Sequence, residues 1–147
     1  MLKMISQVEP NISNEDVQNV TEYMSSGSWI TEHKVTKKLE ENVARYVNRK
    51  YSVAVPNGTI AIYLALLASG IKEGHKVAVP NVTMIATINA IIWAGAQPVI
   101  IDTDESLCMS EESLKSISDI DAVIFVPLNG RTGSGIKIQD YCKKNNI

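Results

Sequence analysis

Four short polar clusters in this sequence could bind a ligand, and each directly follows a stretch that is predicted to be a buried strand. They are Asn57-Gly58-Thr59, Asn81-Val82-Thr83, Asp102-Thr103-Asp104 and Asn129-Gly130-Arg131. The carboxyl ends of parallel strands lie along one edge of a sheet, where α/β proteins bind their ligands. The clusters therefore predict a single binding site. Four unrelated turns are the competing interpretation, because loops are polar in any protein.

The first of these clusters is suited to a phosphate group. Residues 51–67 have the pattern of a short buried strand, a tight turn and an apolar helix. The N-terminus of a helix presents free backbone N–H groups and a partial positive charge to an anion. Gly58 permits close approach of the backbone, and Thr59 adds a hydroxyl group in the first turn. A turn that binds no ligand remains the alternative.

Several common catalytic and nucleotide-binding motifs are absent from the sequence. No GxGxxG segment follows a predicted strand. In GRTGSGIK the glycines at 130 and 135 have P-loop spacing, but Ile136 occupies the position that requires lysine. No GxSxG elbow is present, and the cysteines and histidines lack the spacing of a metal site.

Composition limits the classes of partner. The chain has 147 residues, of which 45% are hydrophobic and 20% charged, as in an ordinary globular domain. Its net charge of −2 provides no basic surface for nucleic acid or an anionic membrane. Apolar stretches are shorter than the roughly 18 residues of a membrane span, and MLKMISQVEP lacks the apolar core of a signal peptide. We therefore expect a cytoplasmic protein without nucleic-acid or membrane partners.

The spacing of apolar residues predicts an α/β fold. Residues 1–50 are expected to form a helical N-terminal lead, with helices over 13–24 and 33–48. The first should begin with a capping box of Ser13 and Asp16, and the second carries an apolar stripe of Val35, Leu39, Val43 and Val47. Residues 51–147 are expected to form part of a larger three-layer α/β/α domain with a mainly parallel sheet.

Within residues 51–147, strands and helices are predicted to alternate. Strands are expected at 51–55, 76–79, 97–101 and 122–126. Helices are expected at 59–69, 83–94, 110–116 and 136–144. Strands that are apolar throughout indicate a sheet covered by helices on both faces.

Six blocks follow one another in the sequence: SGSWITE, NGTIAIYLAL, GIKEGHKV, PNVTMIATINA, GAQPVIIDTD and VPLNGRTG. Through these blocks and their order, residues 5–147 resemble a known family, the DegT/DnrJ/EryC1/StrS aminotransferases. The last block is similar to the LNGR version of this segment, which is found near perosamine-synthase-like members. The resemblance implies the N-terminal part of the large domain of a fold-type-I enzyme that depends on pyridoxal 5'-phosphate.

The resemblance also implies roles for individual residues. Gly58 and Thr59 match the backbone cradle for the cofactor phosphate. Met84 stands where many members place an aromatic ring against the pyridine, and Asn129 matches a strand-end position near the cofactor. The implied substrate-binding residues are Trp29, Thr31 and Arg131, although a packing role for Trp29 and Thr31 stays open. Asp102 and Asp104 are expected to be structural.

No catalytic residue is assigned. The family's Schiff-base lysine and the aspartate that pairs with the pyridine nitrogen match no position in this sequence. We therefore expect an N-terminal fragment, a decayed copy or one piece of a split gene, inactive alone. The full-length form is expected to be a homodimer that transfers an amino group, usually from glutamate, to a nucleotide-linked keto sugar in polysaccharide biosynthesis.

Two alternatives remain open. The first is a non-catalytic interaction or regulatory protein that retains the sheet. The second is an unrelated nucleotide-binding α/β module whose ligand lies on the Asn57-Gly58-Thr59 turn.

Overall fold

The computed structural model describes residues 6, 8–30 and 34–147, which divide into two compact units, Met1–Ala54 and Val55–Ile147. In its described residues the first unit contains the helices α1 (Asn14–Ser25) and α2 (Lys34–Tyr46). None of the helices in the described part of the chain has both the length and the apolarity needed to cross a membrane.

The start of α1 confirms the predicted capping box. Ser13 Oγ accepts the Asp16 backbone N–H at 3.1 Å, and Asp16 Oδ2 accepts the Ser13 backbone N–H at 2.8 Å. Two amide donors that a helix start leaves unpaired are thus satisfied. In α2 the predicted apolar stripe is exposed, and only Ala44 of that helix is buried.

The second unit contains a parallel sheet of three strands in the order β2-β1-β3 within the described residues. The strands are β1 (Lys76–Pro80), β2 (Gln97–Ile101) and β3 (Ala122–Val123). The helices are α3 (Gly58–Ala68), α4 (Ile85–Trp93), α5 (Glu111–Lys115) and α6 (Gly135–Asn145). The chain passes from β1 to β2 on one side and then returns across β1 to β3, which places β1 in the centre.

Alternate residues of the strands point into two separate cores. Val77 and Val79 of β1 pack against α3 and α4 in a cluster with Leu66 and Ile91. Ala78 points to the opposite face, in a cluster with these residues of β2, α5, α6 and the loop before α5: Ile101, Leu114, Ile138 and Met109. This arrangement confirms the predicted three-layer α/β/α architecture, because a two-residue period sends successive side chains to opposite faces.

Two of the predicted strands were wrong in whole or in part. Residues 51–55 form no strand; among the described residues no strand pairs with them, and the Ala54 N–H donates to Glu40 Oε1 at 2.8 Å. A strand exists only where a neighbour accepts its backbone hydrogen bonds. The predicted strand at 122–126 is shortened to β3 for the same reason, since its ladder with β1 ends at the bond from Ile124 N–H to Ala78 O.

Candidate functional site

The N-terminus of α3 has backbone N–H groups available to a ligand. Asn57 is the N-cap, and its Oδ1 accepts the Ile60 N–H at 3.0 Å. No group among the described residues accepts the N–H of Gly58 or Thr59, as expected for the first residues of a helix. The first turn contains no acidic side chain, so the partial positive charge of the helix terminus is not neutralised there.

The topology places this helix terminus at the carboxyl edge of the sheet. Residues 69–75 connect α3 directly to β1, and Leu66 near the end of α3 packs against the β1 side chains. A helix that packs on a sheet and leads by a short loop into the next strand runs antiparallel to that strand. Gly58 therefore lies towards the strand edge from which Asn81, after β1, also extends.

Met84 occupies the start of α4 on the loop that follows β1. It is the N-cap of the helix, makes no side-chain capping bond and is 75% exposed. Below it, the hydroxyl groups of Thr83 and Thr87 lie 2.9 Å apart. The thioether is therefore accessible to a flat apolar group, and sulfur makes favourable contacts with aromatic rings.

Asn129 and Arg131 lie on the loop after β3, which contains a short 3-10 turn, Leu128–Gly130. Asn129 adopts a left-handed backbone with φ of 52°, a conformation that asparagine tolerates better than most residues. The Arg131 guanidinium is engaged, because Nη1 donates to the Ser106 carbonyl oxygen at 3.2 Å. Sequence spacing gave no signal for this contact, since the residues are 25 positions apart.

Trp29 belongs to the first unit and is 79% exposed. Its backbone carbonyl accepts a hydrogen bond from the Tyr23 hydroxyl at 2.6 Å. Thr31, the other residue of this segment that was predicted to bind substrate, lies outside the described residues.

Hydrogen bonds from side chains join the loops that follow β1, β2 and β3. Asn81 Nδ2 donates to Asp102 Oδ1 at 3.1 Å, which links the ends of β1 and β2. The structure thus brings the clusters after β1, β2 and β3 to one edge, as their positions in the sequence predicted. Asp102 and Asp104 both accept hydrogen bonds within this edge.

An open apolar groove of about 510 Å³ lies elsewhere, between the free side of β3 and α6. Phe125, Ile136 and Cys142 are among its lining residues, and none of the candidate ligand-binding residues lines it. Because phosphate recognition needs N–H donors and positive potential, we place the candidate site at the polar edge rather than in this groove.

The sequence matches the profile of the DegT/DnrJ/EryC1/StrS aminotransferase family over residues 10–147. It is 33% identical to a GDP-perosamine synthase of Escherichia coli O157:H7, over 99% of this chain and 41% of that protein. It is also 40% identical to the spore coat polysaccharide biosynthesis protein SpsC of Bacillus subtilis (strain 168), over 66% of this chain and 25% of that protein. The chain spans about two fifths of the length of the GDP-perosamine synthases that it matches.

Solved structures of similar proteins share the fold. An aminotransferase from Psychrobacter cryohalolentis superposes with a TM-score of 0.86 at 27% identity, over 94% of this chain and 36% of that one. The PLP form of a putative sugar aminotransferase, Spr1654 from Streptococcus pneumoniae, superposes with a TM-score of 0.83 at 27% identity, over 92% and 35%. The family profile covers nearly the whole chain and the fold agrees with it, so this chain belongs to the DegT/DnrJ/EryC1/StrS aminotransferase family.

Proposed function

We propose that this chain provides the phosphate- and ring-binding part of a pyridoxal-phosphate-dependent aminotransferase. The reaction of the whole enzyme would transfer an amino group, from glutamate, to a keto sugar attached to a nucleotide. Family membership supports the reaction class, and the names of the relatives support a nucleotide sugar. The observation that carries the proposal is the open N-terminus of α3 at the carboxyl edge of the sheet.

The residues at this edge fit the cofactor. Apart from its two chain neighbours and the backbone of its own helix, no described atom lies within 4 Å of the point that a Cβ on Gly58 would occupy, which leaves room for a phosphate against the backbone. The N–H groups of Gly58 and Thr59 and the Thr59 hydroxyl would hold the phosphate oxygens. The exposed thioether of Met84 would lie against the ring, and Asn129 would border it. Bound cofactor supplies an electron sink for the amino carbon.

We expect no catalysis by this chain alone. None of its lysines matches the family's Schiff-base position, so the 147 residues are proposed to bind the cofactor without turnover. Purified protein that converts a keto sugar and glutamate would contradict this point.

The test of the function is a comparison of two ligands that differ only in the phosphate. Pyridoxamine 5'-phosphate and pyridoxamine both lack the aldehyde, so neither reacts with surface lysines. We expect the phosphorylated ligand to bind at least about tenfold more tightly, because several N–H donors would contact the phosphate. Binding would be followed by isothermal calorimetry and by thermal melts.

A pair of variants on one helix provides the control. Thr59→Asp adds a negative charge at the N-terminus of α3, where it stabilises the helix but repels phosphate. Ser69→Asp adds the same charge at the other end of that helix. We expect Thr59→Asp to abolish binding without lowering the melting temperature, and Ser69→Asp to retain binding.

Other outcomes would favour the alternative functions. Equal affinity for both ligands in the unmodified protein would overturn the proposal. Thermal protection by ATP or NAD, with no response to pyridoxamine 5'-phosphate, would indicate a nucleotide-binding module. No response to any of them would favour a non-catalytic interaction protein.

A homodimer and a cytoplasmic location complete the proposal. Helix α3 is apolar around its whole circumference, yet Leu66 is its only buried residue among those described. Helices of this kind are normally buried against other protein surface, and we propose that a second subunit provides that surface. Both cysteines, Cys108 and Cys142, are unpaired, which is typical of a reducing compartment. Sedimentation of the full-length enzyme would test the dimer.

A further inference from the structure

Two loops at the carboxyl edge of the sheet are fastened to each other. The first, residues 102–110, connects β2 to α5, and the second, residues 124–134, connects β3 to α6. The second loop carries Asn129 and Arg131. The contacts that hold this second loop in place therefore affect any ligand that Asn129 and Arg131 contact.

The carboxylate of Asp104 is at the centre of the contact. Its Oδ1 accepts the Ser106 backbone N–H at 2.8 Å and also the Ser106 hydroxyl. Its Oδ2 accepts the Ser134 hydroxyl of the second loop at 3.3 Å. One carboxylate thus organises the first loop and reaches across to the second.

Ser106 and Cys108 continue the contact to Arg131. The Ser106 carbonyl oxygen accepts Arg131 Nη1 at 3.2 Å, and the Cys108 thiol donates to the Arg131 carbonyl oxygen at 3.5 Å. Cys108 is completely buried. Arg131 is therefore held at both its side chain and its backbone by the first loop.

Gly133 allows the loops to approach this closely. A Cβ at this position would lie 2.6 Å from Ser106 Oγ and 2.7 Å from Cys108 Cβ, so the neighbouring atoms would have to shift to accommodate it. The loops therefore meet in direct van der Waals contact, and the hydrogen bonds of Asp104 lie around a packed contact rather than across open solvent.

We propose that Asp104 is a positioning residue that holds the Asn129–Arg131 segment in place through Ser106 and Ser134. The role assigned to that segment rests on the proposed function, but the fastening of the two loops does not. Asp104 itself contacts neither cofactor nor substrate in this proposal. In the same arrangement, Arg131 helps to hold the two loops together through its bonds to Ser106 and Cys108.

The buried thiol of Cys108 gives a direct measurement. In a Cys142→Ser background, the rate at which a thiol reagent labels Cys108 reports how often the two loops separate. We expect Asp104→Ala to raise this rate by about tenfold or more, because charge-assisted hydrogen bonds are the strong ones. Asp104→Asn keeps an acceptor for Ser106 and should give an intermediate rate.

Asp121→Ala is the matched control. Asp121 also uses its carboxylate to accept a backbone N–H, that of Lys76 at 2.7 Å, but it lies at the amino edge of the sheet. We expect this variant to lower the melting temperature while leaving the Cys108 labelling rate close to that of the Cys142→Ser parent. If Asp104→Ala does not fold, Asp104→Asn and Ser134→Ala replace it.

Affinity for pyridoxamine 5'-phosphate completes the test. We expect Asp104→Ala to weaken binding severalfold and Asp121→Ala to leave it unchanged. An unchanged Cys108 labelling rate in Asp104→Ala overturns the proposal, as does faster labelling with unchanged ligand affinity. If the parent protein fails to bind the ligand while labelling still responds to Asp104, the proposed function is wrong and the fastening of the loops stands.

Discussion

Asn81 and Asp102 join the ends of two neighbouring strands, with 3.1 Å between Asn81 Nδ2 and Asp102 Oδ1. The Asn81 backbone N–H also donates to the Ile101 carbonyl oxygen at 2.9 Å. Alternate residues of a parallel strand bond the same neighbour, and Asn81 is bonded to β2 whereas Lys76 and Ala78 are bonded to the β3 side. Pro80, which has no N–H, therefore leaves the β1–β2 ladder intact, and that ladder continues through Asn81. The first residue beyond each strand thus continues the sheet into the candidate site.

The hydrogen bond between Asn81 and Asp102 predicts a measurable coupling energy between these two residues. Asn81→Ala and Asp102→Ala should each lower the free energy of unfolding by about 0.5–1.5 kcal/mol. The double variant should lose less than the sum, because the second change removes a bond that is already broken. Urea unfolding of all four proteins gives the coupling energy. Strict additivity would show that the bond contributes nothing.

Neighbouring isoleucines on α4 should respond very differently to truncation. Ile91 is completely buried and Ile92 is 55% exposed. We expect Ile91→Ala to cost about 2–5 kcal/mol, because it removes transfer energy and leaves a cavity. Ile92→Ala should cost less than about 1 kcal/mol. Urea unfolding in dilute solution distinguishes them, and similar losses would contradict the assignment of the core.

Gly133 and Gly130 form a second pair, since both have a positive φ, 44° and 77°. Gly130→Ala meets no atom within 4 Å and should cost about 1–2 kcal/mol for its backbone conformation alone. Gly133→Ala adds the overlap with Ser106 and Cys108, so its loss of stability should exceed that of Gly130→Ala by about 1–3 kcal/mol. Thermal melts are sufficient to test this order.

The pH dependence of stability follows from three carboxyl groups. Hydrogen bonds from Ser13, Ser106 and Lys115 lower the pKa of Asp16, Asp104 and Glu111, respectively. A pKa that is lower in the folded state contributes stability above the ordinary carboxyl pKa of about 4, and this stability is lost as the pH falls through the lowered pKa. The urea midpoint should therefore decrease below about pH 4 on account of these groups.

The variant Ser106→Ala tests the cause of the lowered Asp104 pKa. Removing the hydroxyl group eliminates the largest cause of the lowered Asp104 pKa. Nuclear magnetic resonance titration of the Asp104 carboxyl should then show a pKa closer to its ordinary value. The Asp16 titration serves as the control, because the hydrogen bonds that lower its pKa come from Ser13, three residues away. A pKa of Asp104 that is unchanged by Ser106→Ala would contradict the hydrogen-bond assignment.

The sequence was informative where local chemistry determines the structure. The capping box of Ser13 and Asp16 and the alternation of strands with helices follow from patterns within a few residues. The failed strand at 51–55 shows the limit, because strand formation depends on a neighbour that no local pattern names.

In the candidate site, too, the sequence predicted some features and could not predict others. The polar residues that follow the strands could be grouped at one edge from topology alone. The contacts of Arg131 with Ser106 and of Asp104 with Ser134 could not, because hydrogen bonds between residues 25 and 30 positions apart leave no spacing signal.

The central position of β1 also has a consequence for the order of events during synthesis. Asn81 and Asp102, which join β1 to β2, are 21 residues apart, whereas Lys76 and Asp121, which join β1 to β3, are 45 residues apart. The β1–α4–β2 unit can therefore close while β3 is still inside the ribosome. At translation rates of about 5–20 residues per second, one side of the most buried strand waits on the order of a second or more for its neighbour. During that interval, the nascent chain is most open to pairing with another molecule.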